Sequence, residues 1–319
     1  MRRIRKRMFM TDPGKVCSVQ GSVLNLPGLW TIIILLLASL DTATAQTGLT
    51  LQLVPETSAI VPGQPFRVGL FIQHDPGWHT YWRQPGIVGV PTSIAWDLPA
   101  GFKAGELEFP EPESVLMFRI KAQGYERDVL LQTVITAPTD VPPGKIISLK
   151  GKATWMCCGN TCHPGHQEIS LTMPVATEAQ PDTQWQPLFE KERSVYARPS
   201  TAWTASAEEE GLKVTLILTP GPGARPFTPD EKVIFFTDDG WINSDEPQPQ
   251  KLSSEGSLTL SLTRADVFLG KVVPEKLNGI VQRDGGWNEK EHWRSLIVTP
   301  KLKRHLVKNL DSQQPDEKR

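Results

Sequence analysis

Along most of the chain, apolar and polar residues alternate in short runs. In FRVGLFIQ, Phe66, Val68, Leu70 and Ile72 fall on one parity, and Arg67, Gly69 and Gln73 on the other. SLTLSLTR repeats the pattern, with Leu258, Leu260 and Leu262 set against Ser and Thr. A period of two turns one set toward a core and the other toward water, so both runs predict half-buried strands. Pro and Gly interrupt these runs about every ten residues, as in VPGQP, LPAG, VPPG and TPGPG, which predicts sandwich topology rather than βαβ units. One stretch breaks the rhythm. TEAQPDTQWQPLFEKERSVYARPST is polar and rich in Pro, with a helical turn or two expected around QPLFEKERS, and it reads as a linker. The pattern therefore predicts an all-β protein with two β-sandwich domains in tandem, at 46–176 and 203–302. The linker at 177–202 joins them, and a charged, frayed tail follows at 303–319. A chain of 319 residues has room for two such cores.

The first 45 residues follow a different logic. A basic MRRIRKR, the apolar run LWTIIILLLASL and the small residues ATA before Gln46 have the anatomy of a secretory signal peptide. The apolar run is short for a bilayer span, and the long basic stretch also allows an uncleaved amino-terminal anchor. Cleavage after residue 45 removes six Lys/Arg and two Asp, moving the formal charge from −1 to −1 − (6 − 2) = −5. A mildly acidic exported protein has no electrostatic case for nucleic acid or an anionic membrane surface. Export also places the cysteines where disulfides persist.

Three of the four cysteines crowd into TWMCCGNTCHPGHQEISL, together with His163 and His166. Three readings compete. As a staple, a bond within this stretch closes a loop too short to constrain the unfolded chain much. A vicinal Cys157–Cys158 bond strains the peptide between them, which leaves Cys158–Cys162 or Cys157–Cys162. As a metal site, Cys157, Cys158, Cys162, His163 and His166 offer soft sulfur and imidazole suited to Cu(I) or Zn(II), although the spacing is crowded for a structural zinc site. As a redox pair, two cysteines on an exposed turn allow attack by one thiolate and resolution by the other. By strand parity Cys157 and Cys158 point to opposite faces, so one faces the core if the other faces the working site. In the second half, TDDGW reads as a turn, since the spacing of an EF-hand loop is absent.

Three ordered blocks carry a resemblance: GWHTYWRQPGIVGVPTSIAWDLPAGF, FRIKAQGYERDVLL and WMCCGNTCHPG followed by ISLTMPV. Over roughly residues 48–176 they resemble the amino-terminal periplasmic domain of the disulfide-bond reductase DsbD, and more closely the branch related to the copper-sensitivity suppressor ScsB. FFTDDGWIN and LNGIVQRDGGW resemble the extra β domain of that branch. The resemblance implies immunoglobulin-like sandwiches and a redox pair at Cys158 and Cys162, shielded by an aromatic cap loop. It places His79 and Tyr81 beside the cysteines, Phe118 at the tip of the cap and Tyr125 at its return. An acidic pair found before the cap aromatic in some members is Leu116-Met117 here, which removes any proton-shuttling role for it. The implied protein is a periplasmic thiol–disulfide oxidoreductase without a cofactor or small-molecule substrate. Its implied partners are a separate membrane-embedded disulfide reductase and thioredoxin-like clients, because the family's membrane and CxxC thioredoxin domains are not found in this sequence. The competing function is a non-catalytic protein that binds copper or presents two sandwiches with a structural disulfide.

Overall fold

The computed structural model describes residues 47–305 apart from 229 and 290–292. The expected signal segment, 1–45, and all of the expected tail beyond 305 lie outside the described residues. Among the described residues no helix is long and apolar enough to cross a membrane.

The first half is built from β1 (Leu49–Pro55), β2 (Pro65–His74), β3 (Thr80–Tyr81), β4 (Ser93–Asp97), β5 (Lys103–Ala104), β6 (Glu113–Met117), β7 (Ile120–Tyr125), β8 (Val129–Thr136), β9 (Ile146–Cys158) and β10 (Cys162–Pro174). One sheet has the order β1-β2-β8-β5, and a second has the order β10-β9-β4. Their facing parities interdigitate. Leu49, Leu51 and Leu53 of β1, with Leu70 and Ile72 of β2, pack with Ala153, Trp155 and Cys157 of β9. Further along, Phe66 and Val68 meet Leu149 and Met173. The run at 66–73 is a strand as period two predicts, and β2 buries Phe66, Val68, Leu70 and Ile72 as that reading requires. A third small sheet, β3-β7-β6, stands apart from the sandwich as a hairpin buttressed by β3.

The segment expected as a linker folds α1 (Gln186–Ser194) over QPLFEKERS, with Pro in its first turn. Rather than hanging free, it docks on the first sandwich. Phe189 is buried with Val54 and Leu130, and Arg127 donates to the buried Glu192 at 2.9 Å.

The second half comprises β11 (Trp203–Glu210), β12 (Lys213–Pro220), β13 (Val233–Thr237), β14 (Gln250–Leu252), β15 (Leu258–Thr263), β16 (Gly279–Arg283), β17 (Ser295–Val298) and β18 (Leu302–His305). Its sheets have the orders β14-β15-β12-β11-β18 and β13-β16-β17. Residues 303–305, expected in the tail, extend β18 instead. The buried Leu302 anchors that strand, and Arg304 lies 3.4 Å from the buried carboxylate of Glu209. TDDGW is a turn held by Asp239, which accepts from the Trp241 amide at 2.9 Å.

The second half meets the first at its core and at one strand edge. Its Phe236 and Ile280 pack into the core cluster of the first sandwich. The free edge of β13 is also covered by side-chain amides rather than by a strand. Gln250 accepts from Val233 N at 3.1 Å and donates to Glu231 O at 2.5 Å. Gln248 accepts from Phe235 N at 2.8 Å and donates to Phe235 O at 2.9 Å. Gln123, from β7 of the first half, accepts from Thr237 N at 2.8 Å and donates to Thr237 O at 2.9 Å.

Candidate functional site

β9 and β10 form one long hairpin in which Cys158 lies directly opposite Cys162. Gly159, Asn160 and Thr161 make the connection, closed by the Gly159 amide donating to Thr161 O at 2.9 Å. This pairing brings the two Cα atoms to 4.1 Å, and the sulfurs form a disulfide. Strand parity then separates the two adjacent cysteines. Cys157 shares the face of Ala153 and Trp155 and is buried as a free thiol in the sandwich core. Burial, reinforced by Asp75, pushes its pKa up to about 12. A thiol so placed behaves as a small hydrophobe. Cys158 takes the other face.

The walls around Cys158 come from two loops and the β6–β7 hairpin. Asp75-Pro76-Gly77-Trp78 makes a tight turn in which Trp78 N donates to Asp75 O at 3.0 Å and Gly77 takes φ 80°. Pro followed by Gly at positive φ is the type II pattern. The turn delivers His79 beside Cys158, where the two residues exchange backbone hydrogen bonds of 2.9 and 3.0 Å. Two residues on, on the same parity, the Tyr81 hydroxyl donates to Cys158 Sγ at 3.1 Å. His79 Nε2 lies 3.3 Å from that hydroxyl, and its ring meets the phenol edge-on. With the Tyr81 proton directed at sulfur, the phenol oxygen presents only lone pairs to His79, which makes Nε2 the protonated nitrogen. Burial pushes Tyr81 up to about 12 and, helped by His74, brings His79 down to about 4. At neutral pH both are therefore uncharged.

Above the disulfide sits a cover. Val115 and Ala122, cross-strand neighbours in β6 and β7, pack on Cys158 and Tyr81, with Val88, Met117 and Met156 around them. Gly89, at φ 101°, closes the loop over Tyr81, where a Cβ would come within 2.4 Å of the ring. Only glycine permits that approach.

The structure thus assembles Cys158, Cys162, His79 and Tyr81 at one place. Phe118 and Tyr125 stand at the tip and the return of the hairpin, but neither packs on the disulfide. Phe118 occupies the hairpin tip but is 62% exposed, and the shield over Cys158 is aliphatic rather than aromatic. Tyr125 does end β7, yet its buried ring belongs to the sandwich core with Trp82 and Phe109, and its hydroxyl donates to Pro110 O at 2.8 Å. Its position within the core is set by parity: Tyr125 falls on the opposite face of β7 from Ala122. The ligand set weighed for a metal is dispersed as well. Cys157 is in the core, and Cys158 and Cys162 are bonded to each other. His163 contacts Thr161 Oγ1 at 2.7 Å and tilts against Trp78, while His166 is exposed further down β10. Among the described residues no three His, Cys, Asp or Glu side chains are grouped to hold an ion. Sequence reasoning missed Val88, Gly89, Val115 and Ala122. The signals were a glycine between apolar residues in GIVGV and the matching parities of SVLM and IKAQ around a turn.

Residues 50–174 match the family model described as thiol:disulfide interchange protein DsbD, N-terminal. Among solved structures, the chain is similar to the N-terminal periplasmic domain of ScsB from Proteus mirabilis. The identity is 17% and the TM-score 0.56, over 82% of this chain and 96% of that one. A protein of unknown function from Porphyromonas gingivalis W83 also matches, at 12% identity over 79% of this chain and 99% of that one, but with a TM-score of only 0.21. No curated protein sequence matches. Residues 50–174 therefore form a DsbD amino-terminal-like domain of the thiol–disulfide exchange kind, and the disulfide it carries is Cys158–Cys162.

Proposed function

We propose that this is an exported periplasmic electron-transfer protein. In this reading Cys158 and Cys162 cycle between disulfide and dithiol, and two electrons pass between a membrane-embedded reductase and thioredoxin-like partners. The observation that carries the reading is the asymmetry of the two sulfurs. Cys158 is fully buried under the cover and accepts a hydrogen bond from Tyr81, whereas Cys162 is partly exposed at the hairpin end. A structural staple has no use for such a difference.

In this reading the two sulfurs take different roles. A partner thiolate attacks Cys162 Sγ, and a mixed disulfide forms as the Cys158–Cys162 bond breaks. The electron pair leaves on Cys158 Sγ, where the Tyr81 O–H already points, so the new thiolate is met by a donor without reorganisation. Because burial holds the phenol proton, Tyr81 donates a hydrogen bond rather than ionising. The partner's second thiolate then attacks its own sulfur in the mixed disulfide and releases Cys162. The partner dithiol is oxidised to a disulfide, and Cys158 and Cys162 are reduced by the same two electrons and take up two protons. Run backwards, the same steps reduce a client. His79, neutral at pH 7, fixes the orientation of Tyr81 without adding charge that the buried site would have to solvate.

The test is trapping. Cys158→Ala removes the resolving sulfur, so mixed disulfides with thioredoxin-like partners should accumulate through Cys162, and Cys162→Ala should capture none. Capture by Cys162→Ala alone would reverse the assignment. A native disulfide that no thioredoxin-like donor reduces until the protein is unfolded would return the bond to a structural role.

A further inference from the structure

The hairpin that covers Cys158 is not free to swing. Within the β3-β7-β6 sheet, β3 pairs only with Gly124 and Tyr125 of β7. The edge of β7 preceding those residues has no strand beside it, and such an edge leaves main-chain groups seeking partners. Gln123 finds its main-chain partners in the first half, accepting from Trp82 N at 3.0 Å and donating to Pro85 O at 2.7 Å, whereas those of Lys121 come from the second half of the molecule. Asp245 Oδ1 accepts from Lys121 N at 2.8 Å, and Ser244 Oγ donates to Lys121 O at 2.9 Å. The same Ser244 Oγ accepts from Ile87 N at 3.2 Å, tying the neighbouring loop to the same point. Ser244 and Asp245 thus stand where a further strand would. Their own loop is anchored: Asn243 N donates to Thr263 O at 2.8 Å, and Asp245 N donates to Asn243 Oδ1 at 3.0 Å.

Strand parity makes this contact mechanical. Ala122 faces Cys158 and Tyr81, and the next residue, Gln123, faces the opposite way. Gln123 is 2% exposed, and its amide bonds both peptide groups of Thr237 and also the Gln84 carbonyl. One face of β7 covers the disulfide while the other is held by β13. The cover cannot lift from Cys158 without loosening bonds to Thr237, Ser244 and Asp245.

We propose that the second domain is the latch of the cap: Ser244, Asp245 and Thr237 are positioning residues that hold β7 down and set how often the disulfide is uncovered. This rests on the redox reading for its purpose but not for its geometry. The test uses the full exported chain in its oxidised form. The Ser244→Ala/Asp245→Ala pair removes three bonds at a half-exposed loop without emptying the core, whereas Gln123→Ala would strand buried peptide groups and risk the fold. Loss of a net hydrogen bond is worth a factor of about five in an opening equilibrium. Hydrogen exchange of residues 114–123 should therefore rise by at least about five-fold, and the rate of native disulfide reduction by dithiothreitol should rise with it. The reduction potential should stay constant, since the latch grips the cap in both redox states. Asp245→Asn keeps an oxygen acceptor for Lys121 N and should behave as wild type. Unchanged exchange in the double variant would overturn the latch, and so would faster exchange with an unchanged reduction rate, or Asp245→Asn matching Asp245→Ala. If dithiothreitol reduces neither protein in the native state, the redox reading fails, while hydrogen exchange still decides whether the latch exists.

Discussion

His79 illustrates how a single buried side chain can couple the site to pH. Its ordinary pKa of about 6.5 applies in the unfolded chain, and burial brings it down to about 4 in the fold. Between those values the unfolded state binds a proton that the native state refuses, so stability falls as pH drops from 6.5 toward 4 and is fully present above that window. From pH 7 to pH 5 the loss from this residue is about 2 kcal/mol. His74, whose pKa burial also lowers, adds to the loss with the same sign. His79→Gln cannot titrate, so its stability in urea should fall between pH 7 and pH 5 by about 2 kcal/mol less than that of wild type. Equal falls in the two proteins would mean that His79 takes up its proton in the fold as readily as in the unfolded chain. None of this was visible in HTYW as text. The motif placed His79 and Tyr81 on one parity, but the pKa shift comes first from burial, and that burial needs the fold, which pairs His79 with the distant Cys158.

At the scale of the element, the cap hairpin carries a local conflict. Met117 pairs with Ile120, leaving a two-residue turn, and its first residue, Phe118, sits at φ 58°, the only positive φ at a non-glycine among the described residues. That position in a tight hairpin suits glycine, and a bulky residue there stores of order 1–3 kcal/mol. An exposed aromatic ring kept at such a place argues for a use in contact rather than in folding. Phe118→Gly should therefore raise stability, by up to about 1 kcal/mol once the added chain entropy is counted, while slowing exchange with a thioredoxin-like partner several-fold. Phe118→Val, β-branched at positive φ, should lower both. Denaturant melts and partner-exchange rates read the two effects separately, and a Gly variant that exchanges as fast as wild type would show the ring to be idle. The hairpin itself was legible, since FRIKAQGY carries both the turn and the parity. The aliphatic character of its cover was not. Aromatic residues attract attention in a sequence, whereas Val115 and Ala122 look like any strand residues until the fold sets them over Cys158. Tyr125 shows the same difficulty, because a conspicuous side chain at the right end of the right strand faces the core by parity alone.

Over the whole molecule, the two sandwiches read as separate beads on a polar linker, and they are not packed that way. Phe236 and Ile280 extend the core of the first sandwich. The Ser295 hydroxyl donates to the buried Glu111 at 2.6 Å, and Gln282 donates to Pro112 O at 3.2 Å. Buried polar groups paired across a boundary are costly to separate, because each would be left without a partner or forced back into water. Heating should accordingly give one calorimetric transition whose measured and van't Hoff enthalpies agree, and two resolved transitions would show the halves to be independent. Sequence could not reveal this, because an interface built from Phe236, Ile280 and scattered polar side chains has no periodicity of its own. The glutamine amides along β13 carry a last consequence. An uncovered strand edge invites another chain to add itself, and Gln250, Gln248 and Gln123 occupy every rung where that could begin. Two of these guards belong to the second half, but the third rides on the cap strand. A cap that swung fully away would carry off its guard and bare the end of β13 to any passing β-strand. For the exchange cycle proposed above, this bounds the stroke of the cover: an opening that keeps Gln123 on Thr237 leaves β13 guarded, and a wider one exposes a strand edge to self-association.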